Sequence, residues 1–461
     1  MAANVRFASQ PAFDLAPWRA GPYHVHSQLP QEGKALVKTD NSPARGMRDL
    51  LPADTATRDH VLATVTATYR GYGYQRIETP ALENIGRLQS GQGADNEKLI
   101  FQVLKRGLPP ELEPGTRVSD LVDLGLRYDL TVPLTRFYGA NHARLPVPFR
   151  ALQVGPVWRA ERPQKGRYRQ FYQCDIDIIG EPAVLAEAEL IEATTEALAA
   201  VGLREVTVRL SDRRFLSALA AAGRIPADSC DAFFITLDKL DKIGWDGVRA
   251  ELDGLGIPSA SVLEMIADLQ DVPAGKLADT LIATVPALPE DVTADLAATA
   301  ECLERLAASR PLLWRFDPTL VRGMGYYTGQ VFEITAPGVA GSLAGGGRYD
   351  KLIGRWLGRD VPACGFSIGF ERISDLLGAK APRAAIAVLT EPGISPADAL
   401  AAARDLRGQG HVVEVIRRSG KIAAQLSRLE AAGFTEFVHL RREDGGTAPG
   451  QRRTLGPPSA G

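Results

Sequence analysis

The apolar positions change period several times along the chain, and each change marks an element. In "PADTATRDHVLATVTATYRGYG" they recur at Val61, Leu62, Val65 and Tyr69. That spacing covers one helical face, so a helix is expected from Asp54 or Thr55 to a glycine stop at Gly71. The run "YQRIETP" that follows reads as a short strand. Three segments, "GLRYDLTVPL", "PFRALQVGPVWRA" and "RQFYQCDIDIIG", interrupt β-branched and aromatic residues with polar ones. This predicts antiparallel sheet lined on one face by functional side chains. "PAVLAEAELIEATTEALAAVGL" returns to helical spacing and ends at Gly202, and "REVTVRLSD" is a strand. From about 213 to 311, Ala, Leu, Asp and Glu fall at helical spacing without a motif that suggests chemistry, which predicts an inserted helical subdomain.

Strand-like sequence resumes in "YYTGQVFEITAP", followed by the glycine cluster "AGGGRYDKLIG" and by "ACGFSIGFERISDLLG", a strand running into a helix. "KAPRA" (380–384) reads as a linker. Beyond it a β-α-β-α-β pattern predicts a small α/β domain over 384–461 with a parallel sheet. From Arg441 onward the chain is polar and turn-rich, and a frayed tail is expected. Residues 1–43 carry five prolines and no sustained period, an irregular extension. The expected class is α+β, with a larger domain over 44–380. Two or three domains also suit 461 residues, more than one core usually organises.

Composition narrows the function. A net charge of −2 and a pI near 6.4 predict no general affinity for polyanions, so any nucleic acid must meet a local patch. The four cysteines show no CxxC spacing, which indicates neither a zinc knuckle nor a disulfide framework and suits a reducing cytoplasm. The first thirty residues lack a basic region followed by an apolar run, and no apolar stretch reaches the roughly 18 residues a membrane span requires.

The patch is "RAERPQKGRYRQF", Arg159 to Phe171, with five cations and one carboxylate. Pro163 and Gly166 make a turn, placing Arg159 and Arg169 on the two strands of a hairpin and Arg162 to Arg167 at its tip. A charge run is often only a solvated loop. A hairpin of this kind can instead grip a polyphosphate between its strands, because guanidinium offers fixed, paired donors and keeps its proton. Phe171 adds a face for a nucleobase. In "LVRGMGYYTGQVFEI", Arg322 and Tyr327 sit among glycines that permit close approach of a ligand, although sheet packing and a surface ion pair would use the same residues. "GFSIGFERI" puts Arg372 at a strand-to-helix junction. Asp129 and Asp177 lie in apolar context, where an ionised acid needs a partner; a cationic ligand or an arginine would serve.

In this order these motifs resemble histidyl-tRNA synthetases, class II aminoacyl-tRNA synthetases, over about residues 44–440. "RGMRDLLP" resembles the N-terminal signature, "ETP" the end of motif 1, "VWRAERPQKGRYRQFYQ" motif 2, "LVRGMGYYTGQVFE" and "GGGRYDKL" the two histidine motifs, and "GFSIGFERI" motif 3. The resemblance implies an antiparallel catalytic sheet, a homodimer, a C-terminal anticodon-binding domain, and ATP-dependent activation of L-histidine for transfer to histidine tRNA, with Mg²⁺ accompanying ATP. It further implies that Arg159 and Arg322 meet the α-phosphate as catalytic groups, while Glu161, Phe171 and Arg372 hold the rest of ATP. Asp129, Thr131 and Gln173 would take the α-ammonium of histidine, and Asp177 and Tyr327 its imidazole, with Arg322 beside them. Arg162, Gln164 and Lys165 would meet the tRNA acceptor end. Three departures stand out. Many relatives have Asp at Gly325, some have Glu at Asp129 and Asp177, and the C-terminal domain looks shortened. Alternatives are a paralogue that activates histidine for another acceptor, and a non-catalytic synthetase-like regulatory subunit of ATP phosphoribosyltransferase.

Overall fold

The computed structural model describes residues 41–455 apart from 90–97, 164–165, 311, 323–326, 379–384 and 444–445. The expected extension up to residue 40, the linker at 380–384, Gln164, Lys165 and Gly325 lie outside the described residues.

The strands in chain order are β1 (Gln75–Ile77), β2 (Leu82–Asn84), β3 (Gln102–Leu104), β4 (Val122–Leu126), β5 (Phe149–Trp158), β6 (Gln170–Ile179), β7 (Thr207–Asp212), β8 (Leu313–Phe316), β9 (Gln330–Thr335), β10 (Ala344–Arg348) and β11 (Ala363–Ile368). Eight of them form one sheet in the order β1-β5-β6-β11-β10-β9-β7-β8, antiparallel except where β1 joins β5 and β8 joins β7. The two-residue alternation of β6, third in this order and flanked by β5 and β11, separates its two faces. Cys174, Ile176 and Ile178 point into the main core, shared with Leu190, Ile191 and Leu198 of the helix Leu185–Ala200 and with Val61, Val65 and Tyr69 of the helix Pro52–Gly71. The intervening odd-numbered residues therefore face the other side.

Residues 213–309 leave β7 as a run of helices, from Arg213–Ala222 to Glu290–Ser309, and the chain then returns beside β7 as β8. Strands β2, β4 and β3 make a separate small antiparallel sheet. A second domain-sized sheet begins with β12 (Ala385–Thr390), β13 (Val412–Arg417) and β14 (Phe434–Glu443), parallel to one another, with the helices Pro396–Gly408 and Ile422–Ala431 between them.

Two expectations are corrected. "DLTVPL" is not strand: Thr131–Asn141 is a helix, started by Asp129, whose Oδ1 accepts from the Val132 N–H at 3.1 Å. An acid three residues before a helical N–H satisfies a donor that the helix itself cannot. The polar segment from Arg441 is not frayed over its described residues, which run to Leu455. Gly446–Pro449 and Arg453–Thr454 pair antiparallel with β14, whose outer edge would otherwise be open, and Leu455 is buried beside Phe434 and Phe437.

Candidate active site

The hairpin β5/β6 is in register from Phe149↔Ile179 to Trp158↔Gln170, and the Arg159 N–H donates to the Arg169 carbonyl at 2.8 Å. Its tip is strapped by the N-terminal "RGMRD". The Arg169 N–H donates to the Gly46 carbonyl at 2.8 Å, and Arg169 Nε to the Glu161 carbonyl at 3.0 Å. Gly46 has φ +82°, and a Cβ there would lie 2.9 Å from Arg169 and Pro163 carbons, so the strap needs glycine. Arg48 stacks 3.9 Å over the Tyr168 ring and reaches Glu371 at 2.5 Å. Glu371 also accepts two bonds from Arg58 at 2.6 and 2.9 Å and one from the Tyr172 N–H at 3.0 Å. Burial pushes this carboxyl up, but Arg58, the Tyr172 N–H and Arg48 outweigh it and hold Glu371 below the ordinary range. One ionised acid thus clamps the strap, the helix Pro52–Gly71, β6 and the helix Phe370–Leu377.

Behind the hairpin lies a cleft of about 520 Å³ lined by Arg159, Arg322 and Arg372, from three separate segments, and by Glu161, Phe171, Gln173 and Tyr327. Arg159 Nε donates to the Tyr128 carbonyl at 3.0 Å, and its guanidinium sits 5.0 Å from the centre of the Phe171 ring. Arg322 Nε pairs with Glu333 at 2.7 Å and Nη2 donates to Ser342 Oγ at 3.2 Å. Gly345 makes room for it: a Cβ there would fall 1.4 Å from Arg322 Nη1. For Arg372, burial lowers the pKa first; Glu333 opposes this, while the charges of Arg167 and Arg322 add to it. Cations that disfavour one another across a groove leave it suited to a polyanion.

The inner end has the opposite character. Phe171, Gln173, Asp175 and Asp177 share one face of β6, and Asp129, Asp175 and Asp177 are all buried. Tyr349 Oη donates to Asp177 Oδ1, leaving Asp177 Oδ2 buried with no hydrogen-bond partner, and Gln173 Oε1 is likewise unpaired. A Cβ at Gly365 would fall 2.1 Å from Asp177 Oδ1. Burial, then the charge of Asp129, push Asp177 up to about 7 against the Tyr349 hydroxyl. Burial pushes Asp129 to about 6, partly offset by the Val132 N–H and Arg159. Asp175 is raised well above the usual range, by burial first and by both other acids, with Ser367 opposing. Burial also raises the Tyr327 phenol. Acids in this state bind a cation strongly because it relieves both desolvation and mutual repulsion.

Seven of the residues expected from sequence therefore line one cleft, and Asp177 lies at its inner end. Asp129 serves as a helix cap, Thr131 opens that helix, and Arg162 is exposed at the hairpin tip. Sequence reading missed Asp175, Ser367, Tyr349, Glu333, Glu371 and Gly345. The alternation that includes Gln173 and Asp177 passes through Asp175 and could have found it. A larger groove, about 810 Å³, runs past Tyr72, Arg150, Glu189 and Cys302. Arg150 and Glu189 close on each other there at 2.6 Å, and none of the unpaired buried polar atoms among the described residues lies in it. The smaller cleft is the better candidate for that reason.

The family model described as histidyl-tRNA synthetase matches residues 46–373. A histidine–tRNA ligase of Leifsonia xyli subsp. xyli is 48% identical over 415 residues, covering 87% of this chain and 95% of that one. One of Gloeobacter violaceus is 37% identical, over 71% of this chain and 73% of that one. The crystal structure of histidyl-tRNA synthetase from Nostoc sp. PCC 7120 superposes with TM-score 0.71 at 27% identity, over 87% of this chain and 91% of that one. A Bacillus halodurans structure described as an ATP phosphoribosyltransferase regulatory subunit/histidyl-tRNA synthetase has TM-score 0.70 at 22% identity, over 87% of this chain and 98% of that one, a likeness of fold alone. With motif order, sheet and cleft in agreement with these matches, the chain belongs to the histidyl-tRNA synthetase family.

Proposed function

We propose that the protein is a histidine–tRNA ligase that forms histidyl-adenylate and transfers histidine to histidine tRNA. One observation carries the reading: three guanidinium groups line a cleft, and beyond Gln173 on the same face of β6 lie buried acids, of which Asp177 has an unpaired oxygen. The outer part suits a nucleoside triphosphate. The inner part suits a small cation with a polar ring, since Asp177 and Tyr327 offer two polar partners at a set separation and an amino acid lacking matching edges would leave them unpaired.

In the first step a carboxylate oxygen of histidine attacks the α-phosphorus, the bond to the bridging oxygen breaks, and pyrophosphate leaves. Charge builds on the phosphoryl oxygens. Arg159 and Arg322, held by the Tyr128 carbonyl, Glu333 and Ser342, meet that charge without reorganising. Glu161, Phe171 and Arg372 hold the nucleotide; Asp129, Thr131 and Gln173 hold the ammonium. In the second step a terminal ribose hydroxyl attacks the carbonyl and AMP leaves, with Arg162, Gln164 and Lys165 meeting the acceptor end. Mg²⁺ arrives with ATP in this reading. Bound with ATP it would screen the phosphate charge, while Glu333 and Glu371 stay engaged by arginines. Residues 384–461 would serve the anticodon side, and the enzyme would work as a cytoplasmic homodimer. Among the described residues no helix is long and apolar enough to cross a membrane.

The test is histidine-dependent exchange of pyrophosphate into ATP, followed by charging of purified histidine tRNA. Exchange without charging would sink the ligase assignment, and absence of both would sink the site.

A further inference from the structure

At the inner end of the cleft, Ser367 of β11 stands between two side chains of β6. Its Oγ lies 2.5 Å from Asp175 Oδ1 and 3.4 Å from Gln173 Nε2. The register of the two strands builds this in, because Ser367 is paired with Asp175 and Gln173 follows on the same face two residues away. A hydroxyl has one proton to give. With that proton on Asp175, the remaining lone pairs of Ser367 can only accept, and the group they accept from is the Gln173 amide nitrogen. The amide oxygen is then turned away from Ser367, and Gln173 Oε1 is indeed buried without a partner.

We propose that Asp175 and Ser367 form a polarity relay that fixes which end of the Gln173 amide faces the amino-acid pocket. This rests on the reading that Gln173 takes the α-ammonium of histidine. An amide presents an acceptor or a donor depending on a half-turn about its last bond, and the two shapes are nearly identical, so packing alone selects weakly between them. An ammonium has three donors and no acceptor. One orientation binds it; the other sets N–H against N–H. Asp175 and Ser367 are therefore positioning residues that act through Gln173.

The relay predicts an unusual order of effects. In Ser367→Ala the amide loses its guide but gains no competitor, so KM for histidine in pyrophosphate exchange rises several-fold, about 5-fold. Ser367→Thr keeps the hydroxyl and restores it. In Asp175→Ala the Ser367 proton is released and donates to Gln173 Oε1, turning the amide the wrong way, and KM for histidine rises roughly 50-fold. The double variant Asp175→Ala with Ser367→Ala removes the misdirected donor and falls back toward the single Ser367→Ala value. KM for ATP and the melting temperature change little throughout.

A double variant as impaired as Asp175→Ala, or worse, would overturn the relay, as would a KM for ATP that rises in step with that for histidine. Gln173→Ala keeps the two readings apart. If it leaves KM for histidine unchanged, the ammonium assignment has failed and the relay falls with it. If it raises KM while the double variant shows no recovery, the relay alone has failed.

Discussion

Two carboxylates within the same domain, one buried and one half-buried, behave in opposite ways. Glu371, beside the tip end of the hairpin, accepts from Arg58, Arg48 and the Tyr172 N–H and is held below the ordinary carboxylate range. Asp177, at the inner end of the cleft, has a single phenol donor among the contacts described and one bare oxygen, and it is held near 7. The first has its counter-charge within the fold and so builds structure. The second is left short of one and so asks for a ligand. Both acids lose water on or beside the large sheet, and desolvation is the largest influence on each, so desolvation alone does not mark a site; the missing cation does.

Arg322→Ala offers the largest test of this contrast. It removes a cation whose ion-pair partner, Glu333, also pairs with Arg209, so exchange should fall about 1000-fold or more while melting is unchanged. Asp177→Asn comes next. KM for histidine should rise roughly 100-fold, and the free protein should melt no lower, since an unpaired buried charge is removed. Arg58→Ala should reverse the pattern: stability falls by about 3 kcal/mol in urea, because Glu371 loses its bidentate partner, with KM for histidine near normal. If Asp177→Asn destabilised the protein as much as Arg58→Ala, the contrast would fail.

Dependence on pH sharpens it further. Asp129 and Asp177 have folded values of about 6 and about 7, above the value near 4 of an unfolded chain. Their contribution to stability is full below about 4 and is lost as pH rises through 6 to 7. Glu371 is lowered, so its contribution is present above its unfolded value and is lost as pH falls below it. The melting temperature of the ligand-free protein should thus fall between pH 5 and 8, less so in Asp177→Asn, and fall again under acid, less so in Glu371→Gln. The smallest effect is expected at the tip, where Arg162→Ala should weaken tRNA charging about 5-fold, more at low salt, and spare exchange.

How much of this was legible beforehand depended on distance along the chain. The period-two pattern of "QFYQCDIDII" and the helical pattern of "LAEAELIEATTEALAA" are local, and both elements stand where the pattern put them. The three arginines were legible because each sits in its own recognisable motif. What could not be read were partners between 20 and 323 residues away: Ser342 for Arg322, Ser367 for Asp175, Tyr349 for Asp177, and Arg48 for Glu371. "DLTVPL" was misread because Thr and Val favour strands, and a single capping acid at Asp129 outweighed that preference. The tail was misread because polar, turn-rich sequence also suits strands that finish an open edge.

Gly345 carries a consequence for how such an enzyme could escape an inhibitor seated in this cleft. Even one added methyl group would push the Arg322 guanidinium aside, so under the proposed mechanism a resistance mutation at that position would weaken the grip on phosphate along with the grip on the drug. A compound that leans on the bare backbone there would meet a surface that is costly to reshape.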